Sequence, residues 1–156
     1  MNLNKRSILL LCALAAISQG AQAETVEISG SLRATIGKTM MPLGNGGSVV
    51  TASSNGVAAI STSPPTLLDT NCVGMGYLPP ESEPAADFST AFYCTFSANG
   101  EDTLDLKGND GPAGGTATVI GGSGKWKGAT GSGTFTRESS TDTTSSSSFQ
   151  LKLTTP

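Results

Sequence analysis

The sequence predicts an all-β protein whose strands form an antiparallel barrel or sandwich. Three observations predict this class. Apolar and polar residues alternate with a period of two in about eight short segments; glycine, serine, threonine and asparagine separate those segments; and no segment after Ala23 combines a 3.6-residue apolar period with helix caps. Of the two architectures, a closed barrel has the advantage of hiding unpaired strand edges.

The amino terminus has the pattern of a secretory signal peptide. Lys5 and Arg6 precede an apolar stretch, Ile8–Ile17, and Ala21-Gln22-Ala23 supplies the small residues of a cleavage site. Spanning a bilayer takes roughly 20 apolar residues, so this stretch predicts no stable membrane insertion. We therefore expect cleavage after Ala23, a secreted or periplasmic protein, and a single domain over residues 24–156.

The composition of that domain excludes several function classes. Removing residues 1–23 takes away two of the nine basic residues and none of the 12 acidic ones, which leaves a formal charge of −5. An acidic chain without clustered lysine and arginine is not expected to bind nucleic acid. The chain also has no histidine, which removes the commonest nucleophilic triads and transition-metal sites.

Two cysteines, Cys72 and Cys94, lie in the predicted domain. In an exported protein such a pair predicts a disulfide, which the loop-entropy model credits with about 3 kcal/mol. The alternative is two free thiols, one of them a nucleophile, but no histidine is present to activate it.

The first alternating segment, Glu24–Gly37, predicts a half-buried strand, because its apolar residues share one face and its polar residues share the other. That apolar face consists of Val26, Ile28, Leu32, Ala34 and Ile36.

Two asparagine-glycine dipeptides, Asn55-Gly56 and Asn99-Gly100, predict hairpin turns, because these residues adopt the positive φ angles that two-residue turns need. The flanking strands are then Ser48–Ser54 and Val57–Thr62 for the first turn, and Phe88–Ala98 and Asp102–Lys107 for the second. The remaining predicted strands are Thr116–Ile120, Gly131–Arg137 and a final strand around Phe149, Leu151 and Leu153.

Two stretches are predicted to be loops. Residues 139–148 contain no apolar side chain and predict a solvated hairpin loop. Residues 63–87 hold five prolines, too many for a central strand, so we expect a long loop at one end of the barrel, tethered by the Cys72–Cys94 disulfide. Its apolar residues are candidates for covering that end: Leu67, Leu68, Met75, Tyr77 and Leu78.

A glycine-rich stretch, Gly121–Phe135, could in principle bind phosphate or form a tight connection between strands. A P-loop needs a glycine five residues before Gly124, where the chain has Val119, and a hydroxyl residue after Lys125. Neither requirement is met, so the glycines predict a hairpin. Trp126 is expected to fold over the barrel end as a hydrophobic plug; the alternative is that its ring stacks on a ligand. The motif comprises Gly121, Gly122, Gly124, Lys125, Trp126, Gly128, Gly131 and Gly133.

This motif, from Ile120 to Phe135, resembles the glycine-rich hairpin of the allene oxide cyclase and dirigent barrel superfamily, in particular its small exported bacterial members. Cys94 followed by Asn99-Gly100 and an acidic pair is also similar to those bacterial proteins. The resemblance implies a closed, antiparallel, eight-stranded barrel that could hold one small ligand. Plant members cyclise a fatty-acid epoxide or orient the coupling of phenolic radicals. Dirigent proteins commonly have arginine after the alanine of this motif, whereas here Thr130 follows Ala129.

Three functions remain open. The first is a non-enzymatic exported barrel that binds a small apolar ligand or a partner surface; it expects an apolar cavity with no buried carboxylate aimed into it. The second is an isomerase or cyclase acting on a lipid-like substrate, which requires a buried ionisable group in that cavity. Its acids and bases would be carboxylates, Tyr77 or Tyr93. The third is a structural or surface-interaction domain with a solid core.

No cofactor or metal is expected. The oxygens of Asn99, Glu101, Asp102 and Asp105 match no calcium-binding spacing and predict a solvated turn. The sequence does not determine the oligomeric state.

Overall fold

A computed structural model describes residues 23–61, 64–80, 82 and 89–156. Eight strands form a closed barrel in sequence order, and every neighbouring pair is antiparallel. The strands are β1 (Glu24–Pro42), β2 (Ser48–Ile60), β3 (Thr66–Leu78), β4 (Ser89–Ala98), β5 (Asp102–Gly111), β6 (Gly114–Gly122), β7 (Thr130–Ser140) and β8 (Thr144–Thr155). The predicted closed antiparallel barrel is confirmed. The predicted signal peptide lies outside the described residues, apart from Ala23.

Alternate residues of each strand face the barrel interior. In β1 the predicted apolar face is the inner one: Ala34 is buried, and Ile28 and Leu32 pack against the core. The largest fully buried side chains lie at the inner positions of other strands, namely Leu68, Leu104 and Leu153. The period-two pattern therefore identified the inner face of β1 correctly.

Three inward-facing phenylalanines each lie over a glycine on the neighbouring strand. The paired residues are Gly30 with Phe149, Gly108 with Phe92, and Gly115 with Phe135. A methyl group on these glycines would lie 2.7, 2.7 and 2.9 Å, respectively, from the tip carbon of the facing ring. The glycines thus leave room for the rings to lie along the barrel wall, as an aromatic ring does when it covers a glycine across a strand pair.

One end of the barrel is closed by the glycine-rich stretch. Between β6 and β7 the chain forms a single 3₁₀ turn, Gly124–Trp126, and Trp126 is buried with Ala129 in the core. Gly124 has a φ of 55°, and a methyl group there would lie 2.0 Å from an Asp102 carboxylate oxygen. The stretch joins the antiparallel neighbours β6 and β7, and no long helix follows Lys125.

Hydrogen bonds to β5 and a cation–π contact secure this turn. The backbone N–H of Lys125 donates to Asp102 Oδ1 at 3.0 Å, and the Lys125 ammonium lies 4.5 Å from the centre of the Trp126 ring. Ser123 Oγ lies 3.0 Å from Thr103 Oγ1. The stretch is therefore anchored to β5 through its own backbone and side chains.

The second predicted turn is confirmed and the first is wrong. Asn99 and Gly100 have φ angles of 54° and 76° between β4 and β5. Asn55-Gly56 instead lies inside the continuous strand β2, where Asn55 accepts a hydrogen bond from Asn71 Nδ2 at 3.0 Å. Gly56 allows β1 to approach β2 closely, because a methyl group at this position would lie 2.1 Å from the Arg33 carbonyl oxygen of β1.

The predicted barrel-end loop over residues 63–87 is also wrong in large part, because β3 runs through Thr66–Leu78. Pro64, Pro65, Pro79 and Pro80 flank the strand instead of interrupting it, so they do not remove hydrogen bonds from it. Residues 63, 81 and 83–87 of the predicted loop, with Pro84, lie outside the described residues. The five residues expected in the loop, Leu67, Leu68, Met75, Tyr77 and Leu78, are strand residues. They alternate between the two faces, as the exposures of 64% for Leu67 and 0% for Leu68 show.

The Cys72–Cys94 disulfide is present and joins β3 to β4. The two cysteines are directly opposite each other, with Cα atoms 4.1 Å apart. The bond therefore links two paired strands of the barrel wall and does not tether a loop.

The serine- and threonine-rich run at 139–148 is more structured than predicted. β7 continues to Ser140 and β8 begins at Thr144, so only a short turn separates them. Ser147 is buried on the inner side of β8. Polar residues can occupy inner positions here because, as described below, this end of the barrel is open.

The phenylalanine-over-glycine packing predicts that Gly108→Ala destabilises the barrel. The new methyl group would lie 2.0 Å from the Thr116 carbonyl oxygen as well as against Phe92, so we expect a loss of about 1–3 kcal/mol in the free energy of unfolding. Urea unfolding measures it. Gly37→Ala is the matched control, since its methyl group would meet no atom closer than 3.4 Å. Equal stabilities of the two variants would contradict this account.

Candidate functional site

The barrel interior holds a cavity of about 470 Å³ that opens at the end opposite Trp126. This volume is in the range of small-molecule sites. Its wall is mostly apolar or aromatic: Leu32, Ile36, Met40, Val50, Ala52, Leu78, Phe92, Phe96, Leu106, Ala117, Phe135, Phe149 and Leu151. The barrel is therefore a cup, with a packed floor and an open mouth.

Aromatic rings set the shape of the deeper part of the cup. Phe92 and Phe135 meet edge to face with ring centres 5.4 Å apart, and Phe96 and Phe149 do the same at 5.8 Å. Such pairs restrain one another's orientation. Because three of these rings are held over glycines, the space in front of them stays free for a ligand.

The disulfide is part of the same wall. Cys72 and Cys94 both line the cavity, at inner positions of β3 and β4. A ligand in the cup would therefore contact the sulfur atoms, which are polarizable and add apolar surface.

An ion pair interrupts the apolar wall. Arg137 of β7 donates a hydrogen bond from Nη2 to Asp110 Oδ2 of β5, and both side chains line the cavity. They are mostly shielded, with side-chain exposures of 24% and 22%. The other carboxylate oxygen, Asp110 Oδ1, is buried and has no hydrogen-bond partner among the described residues.

Burial raises the pKa of Asp110 above its usual range. The positive charge of Arg137 and the adjacent backbone N–H of Gly111 act in the opposite direction, but desolvation is the largest effect. The cavity thus contains a carboxylate whose charged form is disfavoured by its surroundings.

A second ion pair lies at the mouth. Lys38 Nζ is 3.7 Å from Asp142 Oδ1, and the Asp142 side chain is fully exposed. Solvent screens such a pair, so it contributes little to stability. Both residues line the cavity entrance, so a ligand would pass them on entry.

The structure separates the residues that the sequence suggested for a site. Tyr77 and Tyr93 lie on the outer face, 37% and 57% exposed, so neither supplies an acid or base to the cavity. Asn45 Nδ2 donates to the Tyr77 hydroxyl at 3.1 Å. Of the proposed barrel-end residues only Leu78 lines the cavity, and the glycine-rich motif lies at the closed end.

The sequence patterns did not reveal Asp110 and Arg137, and the expectation of a binding cavity with no buried carboxylate aimed into it is wrong, because the shielded Asp110 lines the cavity. A signal for both was present, since Asp110 continues the inward series of Leu104 and Leu106, and Arg137 follows Phe135 at the same phase. A charged residue at the inner phase of a strand is the pattern that would have identified them.

Within the described ranges, no group of three or more cysteine, aspartate or glutamate side chains could hold a metal ion. In that part of the chain, no helix has the length and apolar character needed to cross a membrane.

No protein-family model and no curated protein matches the chain. Among solved structures, it is similar to the pterocarpan synthase dirigent protein GePTS1, with a TM-score of 0.61 and 9% identity over 96% of this chain and 99% of that chain. It is also similar to the pterocarpan synthase dirigent protein PsPTS1, with a TM-score of 0.54 and 12% identity over 85% of this chain and 96% of that chain. A pyocyanin demethylase has a TM-score of 0.50 and 15% identity over 83% of this chain and 99% of that chain. The expected dirigent-type barrel is confirmed as a fold.

The raised pKa of Asp110 predicts a specific pH dependence. Between the ordinary pKa of an aspartate and the raised one, the folded protein binds a proton more tightly than the unfolded chain does. As the pH falls through that window, the wild type should therefore gain free energy of unfolding relative to Asp110→Asn. Urea unfolding from neutral pH down to about pH 4 measures the difference.

Asp142→Asn is the control for this experiment, since it removes a carboxylate that is fully exposed. Its stability relative to the wild type should change little over the same window. A wild type that instead loses stability relative to Asp110→Asn on acidification would mean that attraction to Arg137 outweighs desolvation.

Proposed function

We propose that this protein is exported and binds one small, predominantly apolar molecule inside its barrel. The cavity carries the proposal, because it is large enough for a ligand and its wall is mostly aliphatic and aromatic. A domain with a purely structural role would be expected to fill this space with side chains, since empty volume weakens a core. The wide interior therefore favours binding over a structural role.

A second function, catalysis of an isomerisation or cyclisation in the same cavity, is favoured by one observation. Asp110 is a shielded carboxylate with a raised pKa that faces the cavity, which is the kind of group that an acid or base catalyst requires. Ligand turnover distinguishes the two functions: a binding protein returns its ligand unchanged, whereas an isomerase returns a product of the same mass and different structure.

Export is supported by the amino-terminal pattern and by the disulfide, which is typical of oxidising compartments. We expect the mature protein, recovered from the medium or periplasm of its own cells, to begin at Glu24. Intact mass spectrometry measures this. A recovered chain that retains residues 1–23 would contradict the proposed signal peptide.

Binding is testable with a neutral apolar fluorophore, N-phenyl-1-naphthylamine, whose emission rises in an apolar environment. Ala52 lines the cavity, and Ala52→Leu adds three carbon atoms to the space that a ligand would occupy. We expect this change to weaken fluorophore binding about tenfold or more through steric exclusion.

Ala91→Leu is the matched control, because Ala91 is exposed on the outer side of β4. It should bind the fluorophore as the wild type does. Equal binding by all three proteins would place the fluorophore outside the cavity and count against the proposed site. If the fluorophore binds as expected, native mass spectrometry of protein purified from its own source would detect the natural ligand as an added mass.

A further inference from the structure

Resting on the proposed function, we infer that the cavity selects a neutral ligand whose polar end donates a hydrogen bond to Asp110 and accepts one from Arg137. Asp110 and Arg137 are then the specificity-determining residues of the site. The ligand class is an apolar molecule with a single polar end, such as an alcohol or a secondary amide. This ligand class does not include simple hydrocarbons, which have no polar end, or organic anions, which are charged.

The donor requirement comes from the unpaired oxygen of Asp110. Its Oδ2 atom is bound by Arg137, while Oδ1 is buried without a partner among the described residues. A buried acceptor that loses its water and gains no new partner is costly. A hydroxyl or N–H group of a ligand would supply the missing donor, and a hydrogen bond to a charged oxygen is among the stronger kinds.

The acceptor requirement comes from Arg137. Its guanidinium has five N–H donors, and among the described residues it donates to Asp110. Its side chain lines the cavity, so other donors can reach a ligand oxygen placed beside Asp110. A polar end that both donates and accepts would satisfy both residues at once.

Charge excludes ions from this position. Asp110 and Arg137 cancel each other, so neither a carboxylate nor an ammonium gains from the pair without also meeting a like charge. Among the described residues, the other charged side chains that line the cavity are Lys38 and Asp142, which likewise form a pair of no net charge at the solvated mouth. A neutral ligand avoids the cost of bringing an uncompensated charge into an apolar cup.

The surrounding wall decides what the rest of the ligand must be. Two phenylalanines lie beside the ion pair. On β7, Phe135 precedes Arg137 by two residues, and on β4, Phe92 faces Gly108, which is two residues before Asp110 on β5. The polar end is therefore bordered directly by aromatic rings. An apolar body extending towards the floor would be buried against them.

Three naphthalene derivatives test the inference at neutral pH by their own fluorescence: 2-naphthalenemethanol, its methyl ether and 2-naphthoate. The alcohol can donate, the ether cannot, and the naphthoate is an anion. We expect the wild type to bind the alcohol about tenfold more tightly than either of the others, as is typical of one hydrogen bond to a charged acceptor. This comparison requires no variant.

Two variants then assign the selectivity. In Asp110→Asn the site carries a net positive charge, so naphthoate should bind about tenfold more tightly than it binds the wild type, and the preference for alcohol over ether should fall. Asp69→Asn makes the same change in charge at an exposed position on the outer face of β3, away from the cavity lining, and should alter neither ratio. Thermal unfolding establishes that both variants are folded.

The binding measurements distinguish failure of the proposed function from failure of the inference about the ligand. If none of the three molecules binds, the proposed binding function fails. If they bind but alcohol, ether and naphthoate do so equally, the barrel is a binding protein and the inference about its ligand is overturned. Equal effects of Asp110→Asn and Asp69→Asn would likewise overturn it, because the charge at Asp110 would then have no special role.

Discussion

The packing of phenylalanine rings over glycines is the constraint on which the rest of the structure depends. A small closed barrel has little space inside, and large inward side chains on every strand would fill it. Gly30, Gly108 and Gly115 remove the side chain opposite each of three rings. A methyl group on any of them would lie 2.7–2.9 Å from the ring and 1.9–2.2 Å from a backbone carbonyl oxygen of a neighbouring strand, so a larger residue would force the strands to shift. The rings can therefore line the wall, and the centre of the barrel stays open.

An open centre makes a charged pair tolerable and useful. Asp110 and Arg137 would be expensive in a solid core, since burying ions costs more than their attraction returns. In a cup that opens to solvent they keep partial hydration, with about a fifth to a quarter of each side chain exposed. The remaining shielding still raises the pKa of Asp110. The same geometry thus creates both the apolar volume and the polar group that faces it.

One end of the barrel is closed and the other is open because apolar residues lie at the first and polar residues at the second. At one end the glycine-rich stretch turns back through Gly124–Trp126 and buries Trp126 against the core. At the other, serine and charged residues hold the inner positions of β7 and β8, as Ser147 and Arg137 illustrate. Side chains that prefer water do not seal an opening. The result is a single-ended cavity with a defined floor.

Local chemistry was sufficient for much of this protein. Alternation determined the inner face of β1, positive φ angles determined the Asn99-Gly100 turn, and two cysteines in a predicted exported chain were enough to predict their bond. Tertiary structure decided the rest. Asn55-Gly56 lies within a strand because Gly56 must let β1 approach, and the prolines around β3 frame a strand because only pairing with β2 and β4 makes one there. Asp110 and Arg137, 27 residues apart, meet only because barrel closure brings β5 and β7 to the same cavity wall, and no local pattern encodes that distance.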